Sequence, residues 1–269
     1  MPLHKASTAL VVALAMAMVL GACSRLSFVR PDVSRGDYTQ TAPVIEVTDG
    51  DRVPVLALRD RLLLAQHRLQ AGKLDEAREH AEAVLERAPG TADAHAILAV
   101  VATRRGDATA AGGHFARAAE LAPRGANLNN YGTWLCANGR PADSLAWFDR
   151  ALADPAYRDR AGALANAGDC AGRAGQVARA DRDLRAALEL DPRSVVALGA
   201  MAELAYRRGD AFEARAFSQR RLAAGPADAA ALQLASQIEN VLGDKVAAER
   251  YMSRMRAEFG DHPAQAGDQ

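Results

Sequence analysis

The chain has 269 residues, with 33 basic and 33 acidic side chains and a formal net charge of zero. No basic excess exists to neutralise phosphates, so a nucleic-acid role lacks electrostatic support. Zinc-type cysteine spacing, a Walker loop, a dinucleotide fingerprint and a Gly-x-Ser-x-Gly elbow are all missing, so nothing in the sequence points to an enzyme, a cofactor, a metal or a small-molecule substrate.

The first element is an apolar run from Ala9 to Leu20 behind His4 and Lys5. A short basic head, an apolar core and a small-residue cleavage site form a secretory signal. The run is too short for a membrane span, which needs ~20 apolar residues. Leu20-Gly21-Ala22-Cys23 resembles the lipobox of bacterial lipoproteins. That resemblance implies removal of residues 1–22 and lipidation of Cys23. Ser24, in place of aspartate, implies sorting to the outer membrane, with the protein facing the periplasm. Several acyl chains at ~0.8 kcal/mol per buried CH₂ hold far more firmly than one.

Residues 23–56 show no sustained apolar periodicity and carry Pro31, Gly36, Pro43, Gly50 and Pro54. They read as a disordered tether spanning roughly 30 Å by the square-root rule.

From residue 57 to 262 the chain repeats. Gly72, Gly106, Gly139, Gly175, Gly209 and Gly243 are separated by 34, 33, 36, 34 and 34 residues. Five residues after each glycine stands a small residue: Ala77, Ala111, Ser144, Ala180, Ala214 and Ala248. Pro89, Pro123, Pro192 and Pro226 follow their glycines by seventeen residues. A glycine that ends one helix, a small residue that lets a second approach and a proline that stops it make a helical hairpin. The period resembles that of tetratricopeptide repeats. It implies an all-α, right-handed superhelical solenoid of about six repeats, near 58–91, 92–124, 125–160, 161–194, 195–228 and 229–262. Residues 263–269 read as a disordered tail. The 36-residue interval, around Asp154-Pro155-Ala156-Tyr157, predicts a bent or loosened junction.

His80 and His114 share a column, eight residues after the glycine, with Trp147, Asp183, Phe217 and Tyr251. The column reads as structural, with no metal site. Cys136 lies three residues before its glycine and Cys170 five before its own. They point in different directions from helices ~8–10 Å apart, whereas a disulfide needs Cα atoms within about 7 Å. The expectation is two free thiols, a bridge being possible with distortion.

In tetratricopeptide arrays the first helix of each repeat lines a concave groove. Carried onto this chain, that implies Leu62, Gln66 and Leu69 in repeat one, Ala96, Val100 and Thr103 in repeat two, and Asn129, Thr133 and Cys136 in repeat three. Asp169 and Arg173 follow in repeat four, then Glu203, Tyr206 and Arg207, then Gln233, Gln237 and Asn240. The first half is apolar to mildly polar and the second half charged. Such a surface suits an amphipathic helix or extended peptide. Carboxylates on an open groove, where water is not excluded, suit partner contact better than acid–base work.

Ala92-Asp93-Ala94-His95-Ala96, Asn129-Asn130-Tyr131-Gly132 and Asp149-Arg150-Ala151-Leu152, set in six repeats behind a lipobox, resemble the PilF/PilW family of type IV pilus biogenesis and stability lipoproteins. The resemblance implies a pilotin-like adaptor. It would bind the pilus secretin subunit and promote its localisation and multimer assembly, and so piliation and twitching motility. The alternative is a periplasmic repeat scaffold in β-barrel assembly or regulation of peptidoglycan synthesis.

Overall fold

The computed structural model describes residues 53–260, with side chains from residue 57 onward. The signal segment, Cys23, most of the predicted tether and the predicted C-terminal tail lie outside the described residues. Among the described residues there are twelve helices and no strand. They are α1 Val53–Gln70, α2 Leu74–Arg87, α3 Ala92–Arg104, α4 Ala108–Leu121, α5 Gly125–Ala137 and α6 Pro141–Ala153. There follow α7 Arg160–Arg173, α8 Val177–Leu190, α9 Val195–Arg207, α10 Ala211–Ala224, α11 Ala229–Val241 and α12 Lys245–Phe259. Each odd-numbered helix packs on the even-numbered helix that follows, and each hairpin packs on the next. α1 starts at Val53, four residues ahead of the predicted array. Pro54 falls in its first turn, where a missing backbone N–H costs no hydrogen bond.

The hairpin turns are near copies of one another. All six period glycines have φ between +73° and +82°, the left-handed region that disfavours a Cβ. The next residue's N–H then reaches back to the carbonyl five residues earlier. These bonds run from Lys73 to Arg68, Asp107 to Ala102, Arg140 to Leu135, Gln176 to Ala171, Asp210 to Ala205 and Asp244 to Glu239, at 2.8–3.0 Å. This closes the first helix by satisfying an orphan carbonyl. In three repeats the same residue opens the second helix. The carboxylates of Asp107, Asp210 and Asp244 accept from Ala110 N–H, Glu213 N–H and Ala247 N–H. Each such cap stabilises by about 1 kcal/mol. One Gly-Asp pair thus ends one helix and starts the next.

The small-residue column is wholly internal. Ala77, Ala111, Ser144, Ala180, Ala214 and Ala248 are all at most 3% exposed. Ser144 stays satisfied there by donating to the Pro141 carbonyl at 2.6 Å. On the first helices a second small column receives larger side chains from the second. A Cβ on Gly132 would stand 3.0 Å from the Phe148 ring, and one on Gly168 would stand 2.6 Å from Leu184 Cγ. Phe148, Leu135, Leu184, Leu198, Met201, Leu232 and Ile238 fill the remaining core with almost no exposure.

The long interval between repeats three and four does not loosen the junction. The Asp154 carboxylate accepts from Gly125 N–H at 2.7 Å and from Ala156 N–H at 2.9 Å. Those two bonds hold its carboxyl below the usual carboxylate range. Tyr157 lies so close on Gly125 that a Cβ there would overlap its ring, and Arg160 donates to the Leu152 carbonyl at 2.7 Å. The longer loop is thus tied back onto the start of its own hairpin at Gly125, and Arg160 at the start of α7 links it to the next.

A second expectation is overturned at the same junction. Cys136 of α5 and Cys170 of α7 form a disulfide, with Cα atoms 5.8 Å apart. Positions three and five before the glycine differ by about 200° around a helix, so they lie on opposite faces. Adjoining helices in a stack meet through opposite faces, the forward side of one against the rear side of the next. Directions that diverge on one helix therefore converge between two.

Candidate functional site

The predicted groove residues occupy the first helices α1, α3, α5 and α7, which adjoin one another along the stack. Leu62, Leu69 and Val100 are half-buried, and Gln66, Thr103, Thr133 and Arg173 are exposed. Cys136 is an exception: at 2% exposure, with its sulfur in the disulfide, it is withdrawn from the surface. Asn129, also nearly buried, belongs to a polar link between repeats. Asn166 on α7 donates from Nδ2 to Asn129 Oδ1 at 3.2 Å and to Thr133 Oγ1 at 3.4 Å. Thr133 in turn donates to the Asn129 carbonyl at 2.9 Å. Asn166 is absent from the sequence-derived set, because it stands nine residues before Gly175, a position that set does not include.

Next to this link lies the charged half of the groove. Asp169 is half-buried, and burial pushes its carboxyl above the usual range, against the lowering effect of Arg173. Glu203, paired with Arg207 at 3.4 Å, raises it further. The Asp169 carboxylate and the two bridge sulfurs fall within 4.8 Å of one another. With both sulfurs bonded to each other, that trio supplies no thiolate pair for a metal.

A cleft opens between α3 and α5. These two approach less closely than any other adjoining pair of first helices. The resulting cleft holds about 1080 Å³ and is lined by Leu74, Val100, Phe115, Thr133 and Trp134 among others. Val100, Thr103 and Thr133 are sequence-predicted groove residues, whereas Phe115 and Trp134 are not. Trp134 lies across Gly112 of α4, where any Cβ would overlap the indole. Its Nε1–H is buried without an acceptor among the described residues. The glycine pair Gly112-Gly113 inside a helix was the available signal, since a mid-helix glycine usually marks a close approach.

The predicted column on the second helices is an internal seam in its middle part. Trp147 meets Tyr131 edge-on, with ring centroids 4.6 Å apart. Asp183, buried, is held by Arg179 at 3.3 Å and Arg182 at 2.8 Å. His114 has a partner the sequence did not supply. Its Nδ1 is 3.0 Å from Nδ1 of His95, whose Nε2 faces the Pro89 carbonyl at 3.2 Å.

A family model for the tetratricopeptide repeat matches residues 62–126. The type IV pilus assembly protein PilF of Pseudomonas aeruginosa is 27% identical over 213 residues, covering 76% of this chain and 84% of that protein. The crystal structure of PilW, a widely conserved type IV pilus biogenesis factor, superposes with a TM-score of 0.69 at 27% identity. It covers 77% of this chain and 95% of that one. The structure of Pseudomonas aeruginosa PilF superposes at 0.66 with 24% identity, over 78% and 96% of the two chains, and supports the fold. Six hairpins closed by one recurring turn, matched in sequence and in fold over nearly the whole length of these relatives, make the chain a PilF/PilW-like tetratricopeptide-repeat protein.

Proposed function

We propose that the chain is a type IV pilus biogenesis adaptor of the pilotin kind, anchored through Cys23 in the outer membrane and facing the periplasm. It binds the secretin subunit through the concave face of its first helices and promotes secretin localisation and multimer assembly. The observation that carries this reading is the similarity to PilW, at 27% identity across 95% of that pilus biogenesis factor. A lipobox at Leu20–Cys23 supports the anchor, and an interior given over to packing supports binding in place of chemistry. Physically, a lipid anchor restricts the search for a partner to a surface, and the groove supplies recognition.

The test separates placement from recognition. A Cys23→Ser chain should bind the secretin subunit in solution and fail to bring it to the outer membrane. Loss of the gene should abolish secretin multimers and piliation. If both persist without it, the reading falls, and barrel-assembly or cell-wall partners become the next to test.

A further inference from the structure

We propose that the cleft between α3 and α5 seats an apolar stretch of the partner segment, whose neighbouring carboxylate pairs with Arg104. This rests on the reading that the array binds a protein segment, and it specifies where and with what chemistry. The cleft's volume of about 1080 Å³ lies just above the range of small-molecule pockets, ~300–1,000 Å³. It is lined by α3, α4 and α5, with Gly72 and Leu74 of the first hairpin, and the groove candidates Val100, Thr103 and Thr133 are part of that lining. That shape fits side chains presented by a peptide better than an enclosed small ligand. Leu74, Val100, Phe115 and Trp134 supply an apolar interior.

The charge at its rim selects the rest of the occupant. Arg104 and Arg105 both line the cleft, and no carboxylate does. Arg105 is neutralised by an ion pair with Asp75. Arg104 donates from Nη1 to the neutral Leu69 carbonyl at 2.9 Å and makes no ion pair among the described residues. One uncompensated guanidinium beside an apolar cleft is complementary to one carboxylate beside apolar side chains. A polyanion would call for a cluster of cations, which the rim lacks. The wall stands to gain as well, since the unpaired Trp134 indole N–H would find an acceptor if the ring turned toward a bound backbone.

The experiment pans a displayed library of random dodecapeptides against the whole protein, then measures the enriched peptides on variants. The expected winners combine Leu, Ile, Phe or Met with an adjacent Asp or Glu. Their affinity should fall about ten-fold or more on Arg104→Glu and on Val100→Glu, and weaken with added salt. Arg104→Lys should keep most of the binding, and Arg104→Gln, which retains a donor for Leu69, should lose it while leaving helicity and melting unchanged. Enriched peptides without acidic residues, no enrichment at all, or equal binding by folded Arg104→Gln would each overturn the proposal. Secretin multimers that still depend on the gene while the cleft variants bind normally would sink this site and spare the proposed function. Acidic-apolar peptides held in the cleft, with secretin assembly indifferent to the gene, would do the reverse.

Discussion

At the scale of single residues, two titrating side chains make opposite demands on pH. In the His95–His114 pair, the Pro89 carbonyl requires a proton on His95 Nε2, which leaves His95 Nδ1 to accept from His114 Nδ1–H. Burial and then the charge of a protonated His95 hold the His114 imidazole below its usual value, partly offset by Glu82. A depressed folded value means stability is complete above the unfolded value of about 6.5 and is lost as pH falls below it. Thermal melts should therefore drop between pH 7.5 and pH 5, and His114→Gln should flatten that dependence. Asp169 works the other way. Its raised carboxyl favours the protonated form, so stability from it is present below about pH 3.9 and is lost as pH rises through the raised value. Asp169→Asn should consequently stabilise the protein at pH 7, read as a raised melting midpoint there and no gain at acid pH. The column of rings that contains His114 was legible in the sequence. Its hydrogen-bond partner was not, because His95 sits on the other helix of the hairpin, nineteen residues away.

At the scale of elements, neighbouring glycines on α4 provide a sharp contrast. Gly112 faces the Trp134 ring, so Gly112→Ala should overpack that contact and destabilise by about 1–3 kcal/mol. Gly113 has open space where its Cβ would be, and Gly113→Ala should stabilise by about 1 kcal/mol through better helix propensity. Denaturant titrations of the two single variants read both signs; a loss at Gly113 would show that the exposed face of α4 is not free. The helix-to-helix disulfide is the other element-scale feature. Closing 34 residues restricts the unfolded chain by roughly 3–4 kcal/mol in the loop-entropy account. Cys136→Ser with Cys170→Ser should lower the denaturant midpoint correspondingly. A reducing agent should do the same to the wild type and nothing to the double variant.

At the scale of the whole molecule, stability and recognition both follow from stacking. Each hairpin alone exposes an apolar face, and the next one covers it. The first-helix side chains left uncovered form the candidate groove. Leu69 and Val100 are half-buried on that face, so the Leu69→Glu, Val100→Glu double variant should stay helical and melt with at most a modest loss. It should also lose partner binding; wild-type binding by the folded variant would move the site elsewhere. Repeat register placed the candidate positions on the first helices, Thr133 of α5 among them, but it carried no sign that Cys136 is consumed in a bridge or that Asn166 links to Asn129.

The sequence by itself determined the hairpin. A glycine every 34 residues or so, a small residue five further on and a proline past the second helix act within one local segment, through φ, close approach and a missing N–H. Tertiary structure alone decided what happens between hairpins. The bridging of Cys136 to Cys170, the link from Asn166 to Asn129, and the cleft left where α3 and α5 part all depend on how far one repeat is rotated and shifted against the next. That offset is set by the summed shapes of many side chains across an interface, a quantity that no single motif carries.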